Sequence, residues 1–263
     1  MKIGIVGLGA IGSAVAARVA APLALAALAG RDSQATAAKA AALGLSAPVL
    51  ALADLVSASD IVVDCATAES FRTVAQAALQ AARTLVTVNA AALLDHLDLV
   101  EIAAAKGGRI VVASGALLAL DAVAAAALGR IERVTMRNLK PPAGLAGAPY
   151  IVANRINLAN LKAPLCVFRG TARAAAKGFP ANVNVAAALS LAGAGPDQTM
   201  VEIWADPALT RNVHEFELVS DSVTFSARTE GVPSPDNPKT SAIVPLSVLA
   251  TLQRLAAPLK IGT

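Results

Sequence analysis

Aromatic side chains are scarce in this sequence: they make up 3% of its 263 residues, although 56% of the residues are hydrophobic. Alanine supplies most of the hydrophobic excess, which predicts alanine-rich helices packed closely against a sheet. Residues 19–30 form an apolar run of only 12 residues, whereas a membrane-spanning helix needs about 20. The uncharged stretch 178–196 is interrupted by proline, glycine and asparagine. We therefore expect no membrane segment.

Cysteine is also rare. Cys65 and Cys166 lie 101 positions apart and show no metal-ligand spacing, so we interpret them as reduced thiols and expect no metal site. The chain runs from Met1-Lys2 directly into a strand and a glycine turn rather than into the apolar core of a signal peptide. These features predict a cytoplasmic protein.

The chain has little excess charge: 22 basic and 18 acidic residues give a net charge of +4. Basic residues cluster only at Arg130, Arg133, Arg137 and Lys140, without interleaved aromatic residues. We interpret this cluster as a solvated face, with mild attraction of anionic ligands as the alternative. A nucleic-acid partner is not expected.

Short apolar runs alternate with longer helical patterns over the first 113 residues, which predicts a parallel, doubly wound sheet. After about Ser114 the strands alternate polar and apolar residues and follow one another directly, which favours an antiparallel or mixed sheet. The predicted fold is thus α/β. An N-terminal Rossmann domain (1–115) precedes a second α+β domain (116–238), and a closing helix within 239–263 packs back on the first domain.

A glycine motif follows the first predicted strand and opens a helix. In Gly7-Leu8-Gly9-Ala10-Ile11-Gly12, the first glycine allows a tight turn, the second lets the backbone approach a pyrophosphate, and the third permits close helix–strand packing. The start of the helix offers unpaired N–H groups to the phosphates. We predict that residues 7 and 9–12 bind NAD or NADP, and expect no other cofactor.

The preference between the two dinucleotides depends on the end of the second strand. An NAD site usually has an acidic residue there, about 20 residues beyond the glycines, to hold the ribose. Here the strand is followed by Arg31-Asp32-Ser33. Arg31 is placed to face the 2′-phosphate of NADP, whereas Asp32 or Ser33 serves the ribose or caps the next helix, as Ser33 readily would. Use of both dinucleotides is the preferred interpretation.

Several polar residues of the second half stand in apolar surroundings. Asn182 and Asn184 lie where an alanine-rich helix begins, and a helix cap is the structural explanation for Asn182. Asn212 and His214 are two residues apart in a predicted strand, so their side chains lie on the same face. Lys239 and Thr240 are predicted to open the final helix, where they form a weak candidate site for a substrate carboxylate.

These segments together resemble the L-aspartate dehydrogenase family. The resemblance covers nearly the whole chain, and the segments that carry it beyond the glycine motif are Ser114–Ala116, Lys140-Pro141-Pro142, Phe179–Ala187, Leu191–Asp197, Asp206-Pro207, Asn212–His214 and Asn237–Ser241. It implies NAD- or NADP-dependent oxidative deamination of L-aspartate to iminoaspartate or oxaloacetate and ammonia, which can feed NAD biosynthesis. It also implies that His214 is catalytic and that Ala116 and Asn184 contact the cofactor. We expect a homo-oligomer, a dimer being our guess.

The sequence departs from the family at one turn. Where members commonly have Ile-Gly-Gly before Leu-Asp, this chain has Leu117-Leu118-Ala119, which bears on the shape of the substrate pocket and on the role of Ala116. Two alternatives therefore stay open. One is a reductase or dehydrogenase of the same layout for another amino or hydroxy acid, and the other is a dinucleotide-binding regulator without turnover.

Overall fold

A computed structural model describes residues 1–235 and 237–262, without the side chains of Pro238 and Lys239. The chain divides into two compact units. Unit 1 combines Met1–Gly115 with Val244–Lys260, and unit 2 contains Ala116–Ile243 and the last residues of the chain. Within the described residues, no helix is long and apolar enough to cross a membrane.

Unit 1 is built around a five-stranded parallel sheet with the strand order β2-β1-β3-β4-β5. The strands are β1 (Lys2–Val6), β2 (Ala24–Ala29), β3 (Ile61–Asp64), β4 (Thr84–Thr87) and β5 (Arg109–Val112). The helices that connect them are α1 (Ala10–Ala16), α2 (Ser33–Ala42), α3 (Leu52–Ala58), α4 (Phe71–Gln80), α5 (Ala90–Leu94) and α6 (Asp98–Lys106).

The apolar strands explain this doubly wound arrangement. All four residues of β3 are buried, as expected of a parallel strand that is covered on both faces. The parallel sheet predicted from the alternation of strands and helices is confirmed. The short helices α3 and α5 were not predicted, because they have five to seven residues and no side-chain N-cap that would mark their starts.

Unit 2 contains a second five-stranded sheet, with the strand order β10-β9-β6-β8-β7. It begins with α7 (Leu120–Ala126) and continues through β6 (Ile131–Lys140), α8 (Pro149–Ala153), β7 (Leu165–Thr171), α9 (Ala172–Gly178), α10 (Asn184–Ala192), β8 (Thr199–Ala205), β9 (Asn212–Ser220) and β10 (Thr224–Gly231). Only β6 and β8 pair in parallel. The predicted mixed sheet is therefore confirmed, although β7, α8 and α9 were not predicted.

One face of the second sheet is polar and carries cross-strand ion pairs. Arg133 pairs with Glu217, and Arg137 pairs with Glu202 and Glu215. These two arginines therefore lie on a solvated face, as interpreted from the sequence. The other face is apolar and is covered by α9 and α10.

The closing helix begins later than predicted. Residues Asn237–Ser241 form a strand, β12, that pairs with β11 (Pro233–Ser234), and the helix α11 spans Ile243–Ala256. A helix from Lys239 would place Pro245 in its interior, where proline removes a hydrogen bond, whereas a start at Ile243 places it in the first turn. Val248, Leu249 and Leu252 of α11 lie in the same core cluster as Ile3 and Ile5 of unit 1.

The turn that departs from the family has a backbone that favours glycine. Ala119 precedes α7 with φ of 58° in the left-handed region, which costs a residue with a side chain about 1–2 kcal/mol. We expect Ala119→Gly to raise the free energy of unfolding by about 1 kcal/mol in urea titrations. Ala124→Gly, inside α7, is the matched control and should lower it by about 0.5–1 kcal/mol. A destabilised Ala119→Gly variant would contradict this account.

Candidate functional site

A cleft of about 1000 Å³ opens in unit 1 at the carboxyl ends of the parallel strands. The chain proceeds from β1 to β2 on one side of β1 and then to β3 on its other side. Ligands of doubly wound sheets bind at such a reversal of strand order. The cleft is lined on both sides of the reversal, by Gly7 and Gly9 after β1 and by Cys65–Thr67 after β3.

The glycine motif shapes one wall of the cleft. Gly7 has φ of 91°, and a Cβ there would lie 2.7 Å from the carbonyl oxygen of Cys65. A Cβ on Gly12 would overlap the carbonyl oxygen of Gly7, so the close contact of α1 with the turn requires glycine. Gly9 is exposed, and a Cβ there would meet nothing within 4 Å, which leaves the backbone open to a ligand. Ala10 and Ile11 form the first turn of α1.

The structure settles which residue caps α2. Asp32 is the N-cap, and its carboxylate accepts a hydrogen bond from the Ala35 amide at 2.9 Å. Ser33, the other candidate for the cap, is instead the first helical residue and lines the cleft. The correction has a simple cause: the carboxylate one residue earlier reaches the free N–H groups of the first turn.

Two cationic side chains line the same cleft. Arg31 follows β2, and Lys39 lies in the last turn of α2. Both residues are exposed, and neither side chain has a hydrogen-bond or ion-pair partner in the part of the chain that the structure describes. The positive charge on this side of the cleft is therefore free to meet an anionic group of a ligand. Lys39 was not recognised from the sequence, because an exposed lysine on a helix is usually only solvated.

A buried carboxylate braces the strand ends beside the cleft. Asp64, the last residue of β3, accepts hydrogen bonds from the Thr87 hydroxyl at 2.9 Å and the Asn89 amide at 2.8 Å, and from the backbone N–H of Ala66 at 3.2 Å. Burial raises the pKa of Asp64, and these hydrogen bonds partly offset that rise. The network fixes the chain at Ala66, which lines the cleft.

Unit 2 presents a buried histidine on the apolar face of its sheet. His214 of β9 lies opposite Asn138 of β6, and its Nδ1 is 2.8 Å from the Asn138 Oδ1. Because an amide oxygen only accepts hydrogen bonds, this contact places the proton of the neutral imidazole on Nδ1 and leaves the lone pair on Nε2. Burial, followed by the positive charge of Lys140, lowers the pKa of His214 to about 3. The imidazole is therefore neutral at physiological pH.

Lys140 lies on the same face of β6 as Asn138 and is only 5% exposed. The interpretation of the basic cluster as a solvated face is therefore wrong for this residue. Burial lowers the pKa of Lys140 to about 8. Sequence reasoning missed it, although strict alternation along β6 puts Lys140 in phase with Met136 and Asn138 and out of phase with Arg137.

A threonine connects His214 to Ala116, the residue that the family resemblance assigns to the cofactor. Thr229 of β10 pairs with His214 in the sheet. Its hydroxyl donates to the Ala116 carbonyl at 3.1 Å and lies 3.5 Å from the His214 carbonyl. The structure therefore brings Ala116 and His214 together, although they are 98 residues apart in the sequence.

The other predicted residues of unit 2 lie at the ends of elements. Asn184 is the first residue of α10 and Asn182 is not its N-cap, since Val183 holds that position. Asn212 is the first residue of β9. Thr240 lies in β12 and its hydroxyl accepts a hydrogen bond from the Asn237 amide at 3.2 Å.

The carboxylate site predicted at the start of the final helix is not formed as expected. Lys239 and Thr240 lie in β12 rather than beside the free N–H groups of α11. The side chain of Lys239 lies outside the described residues. The second histidine, His96, is half-buried, stacks on Phe71 and contacts Arg72, so it belongs to neither centre. Among the described residues, no group of three or more potential ligands is arranged to hold a metal ion.

Comparisons with known proteins match both parts of the chain. The C-terminal aspartate dehydrogenase family matches residues 121–255, and the NAD-binding domain of homoserine dehydrogenase matches residues 7–129. An L-aspartate dehydrogenase of Bradyrhizobium diazoefficiens is 49% identical over 100% of this chain and 94% of that protein. The chain belongs to the L-aspartate dehydrogenase family.

Further relatives support the membership. L-aspartate dehydrogenase 3 of Bordetella bronchiseptica is 45% identical over 100% of this chain and 98% of that protein. The crystal structure of the Thermotoga maritima aspartate dehydrogenase has the same fold, with a TM-score of 0.77, 22% identity and coverage of 100% of this chain and 99% of that one. The resemblance stated from the sequence is confirmed, and so is NAD or NADP as the class of cofactor.

Proposed function

We propose that the protein oxidises L-aspartate with NAD or NADP to iminoaspartate, which water converts to oxaloacetate and ammonia. The observation that carries this proposal is the buried histidine of unit 2, whose imidazole is neutral and oriented by the Asn138 oxygen at 2.8 Å. A regulator without turnover has no need of a desolvated, oriented base. Family membership favours L-aspartate over other amino or hydroxy acids.

The proton chemistry is assigned to Nε2 of His214. Oxidation of an amine at carbon requires a nitrogen lone pair, so the substrate ammonium must lose a proton. The later attack of water on the imine releases another proton. Nε2 carries the free lone pair and accepts a proton from either source, whereas Asn138 holds the ring in the required tautomer. A bound nicotinamide supplies the hydride acceptor.

The residues of unit 1 fit a dinucleotide. The turn at Gly7 and Gly9 leaves backbone open to a pyrophosphate, with Ala10, Ile11 and Gly12 forming the start of α1 behind it. Arg31 lines the same cleft. Ala116 and Asn184 are proposed cofactor contacts of unit 2, and Asn212 and Thr240 stay weaker substrate candidates, as does Lys239.

An assay of reduced nicotinamide formation at 340 nm tests this function. L-aspartate, D-aspartate, L-glutamate, L-asparagine, L-alanine and L-malate are offered with NAD and with NADP. We expect turnover with L-aspartate to exceed turnover with every other compound. Preference for another amino or hydroxy acid would mean that this compound, and not L-aspartate, is the substrate. Absence of turnover with all six compounds would favour a dinucleotide-binding regulator.

Arg31 is expected to select for NADP. We predict that Arg31→Ala weakens NADP binding by about 10- to 150-fold and changes NAD binding little, because a charge-assisted hydrogen bond to the 2′-phosphate contributes about 1.5–3 kcal/mol. Titration of both dinucleotides by calorimetry measures the two dissociation constants. Arg18 is exposed and does not line the cleft, so Arg18→Ala serves as the control. Equal losses for NAD and NADP would remove Arg31 from the phosphate site.

The proposal also includes the cellular location, the oligomeric state and the use of the product. A cytoplasmic location, a homodimer and a supply of iminoaspartate to NAD biosynthesis stay predictions. Sedimentation velocity of the purified protein measures the oligomeric state directly.

A further inference from the structure

Lys140 is a buried cation of unit 2 that has no role in the proton transfer proposed for His214. Its side chain lies on the apolar face of the second sheet, two residues from Asn138 along β6. Within the described residues, its ammonium has neither a hydrogen-bond acceptor nor an ion-pair partner. The other cations of this sheet differ, because all of them are exposed and paired with glutamates: Arg133, Arg137, Arg169 and Arg228.

A largely buried ammonium without a partner is costly, because burial removes most of its water and no acceptor among the described residues replaces that water. Buried lysines are therefore normally paired. The unbranched side chain of methionine would suit this apolar face as well, so packing alone does not explain a lysine here. A ligand that carries an anionic group would explain the lysine, because that group would pair with the ammonium.

The residues around Lys140 indicate which kind of anionic ligand would pair with it. Asn138, the neighbour of Lys140 on this face, has a buried Nδ2 with no hydrogen-bond acceptor among the described residues. His214 lies opposite Asn138 on the neighbouring strand, two residues along from Lys140, and the ammonium lowers the pKa of its imidazole further than burial alone does. The site thus has a cation and a base together, which suits a ligand that brings both a carboxylate and an amine.

We propose that Lys140 binds a carboxylate of the substrate, so that the substrate itself is the counter-ion of the buried ammonium. This inference rests on the proposed function and deepens it, because it explains the selection of an acidic amino acid. Lys140 holds the carboxylate, and His214 handles protons at the nitrogen. Lys140 is therefore a binding residue, and its loss acts on the affinity for the substrate.

The test compares Lys140→Met with Arg133→Met. Both variants remove one positive charge from β6, but Arg133 lies on the opposite, solvated face. We expect Lys140→Met to raise KM for L-aspartate by about 10- to 150-fold, the factor for a charge-assisted hydrogen bond, with a much smaller change in kcat. Arg133→Met should leave both within about twofold.

Calorimetric titration of malonate into the protein loaded with NAD gives a second readout that does not need turnover. Malonate carries two carboxylates and no amine, so its binding reports on the carboxylate site alone. We expect wild type and Arg133→Met to bind malonate with the same affinity and Lys140→Met to lose at least tenfold. A folded Lys140→Met protein that keeps the wild-type KM and malonate affinity would overturn the proposal.

Failure of this inference is separable from failure of the proposed function. If the wild type oxidises a different carboxylate-bearing amine, the substrate assignment is wrong, and a raised KM of Lys140→Met for that amine still supports the carboxylate site. If the wild type oxidises L-aspartate and Lys140→Met retains its KM, the function stands and the role of Lys140 is wrong.

Discussion

Replacement of His214 by asparagine should lower kcat for L-aspartate oxidation by about 10²- to 10⁴-fold, the usual contribution of a positioned acid–base group. Asparagine keeps a polar side chain opposite Asn138 but offers no basic nitrogen. Binding of NAD and NADP, measured by calorimetry, should hardly change, because the glycine turn and Arg31 lie in unit 1. The loss should therefore appear in turnover.

His96→Asn is the matched control for this experiment. His96 is a half-buried histidine of unit 1 that contacts Arg72, so its replacement should leave kcat within about twofold. Near wild-type turnover of His214→Asn, at unchanged folding by circular dichroism, would show that another group carries the proton chemistry. A loss confined to cofactor affinity would argue against the assignment equally well.

The environment of His214 also fixes the expected pH dependence. An ordinary imidazole would become protonated below pH ~6.5 and would lose activity there. Burial and Lys140 lower the pKa of His214 to about 3, so the imidazole stays neutral as the pH falls from 8 to 5. The profile of kcat/KM should therefore lack an acid limb near pH 6.5. Such a limb in the wild type, absent from His214→Asn, would contradict the neutral base.

Local signals were sufficient to predict most of unit 1. The strands β1, β3 and β5 were recognisable from the sequence, because strands of a parallel sheet form near-continuous apolar runs, here bounded by polar or small residues. The glycine motif was predictive because each glycine answers a separate steric demand, as at Gly7 and Gly12. β7 was missed, because its apolar residues are followed directly by Arg169 and Gly170 and because its pairing with β8 is a long-range contact.

Only part of the candidate site of unit 2 could be predicted from the sequence. His214 stands out because the chain has two histidines and the resemblance covers its segment. Lys140 lies in a segment that the resemblance also covers, but it was interpreted as solvated because Arg133, Arg137 and Lys140 form one basic cluster along the chain. In a strand, residues four apart share a face, whereas residues three apart lie on opposite faces. The spacing therefore sends Lys140 inward and leaves the two arginines in solvent.

Because its ammonium is buried, Lys140 is expected to destabilise the folded protein. Burial lowers the pKa of Lys140 from 10.5 to about 8, and one pKa unit corresponds to about 1.4 kcal/mol. The buried ammonium therefore costs the folded protein on the order of 3 kcal/mol at pH 7. We expect Lys140→Met to raise the free energy of unfolding at pH 7 by an amount of that order, as measured by urea titration.

The pH dependence separates this cost from a packing effect. Because the folded-state pKa is lowered, the cost is fully present below pH ~8 and disappears as the pH rises through 10.5. The advantage of Lys140→Met over wild type should therefore shrink between pH 8 and 10.5, while Arg133→Met stays close to wild type throughout, since exposed ion pairs contribute little. A variant that is less stable at pH 7 would mean that the ammonium has a compensating partner. A variant that is more stable but binds L-aspartate poorly would show that stability is given up at Lys140 for substrate binding.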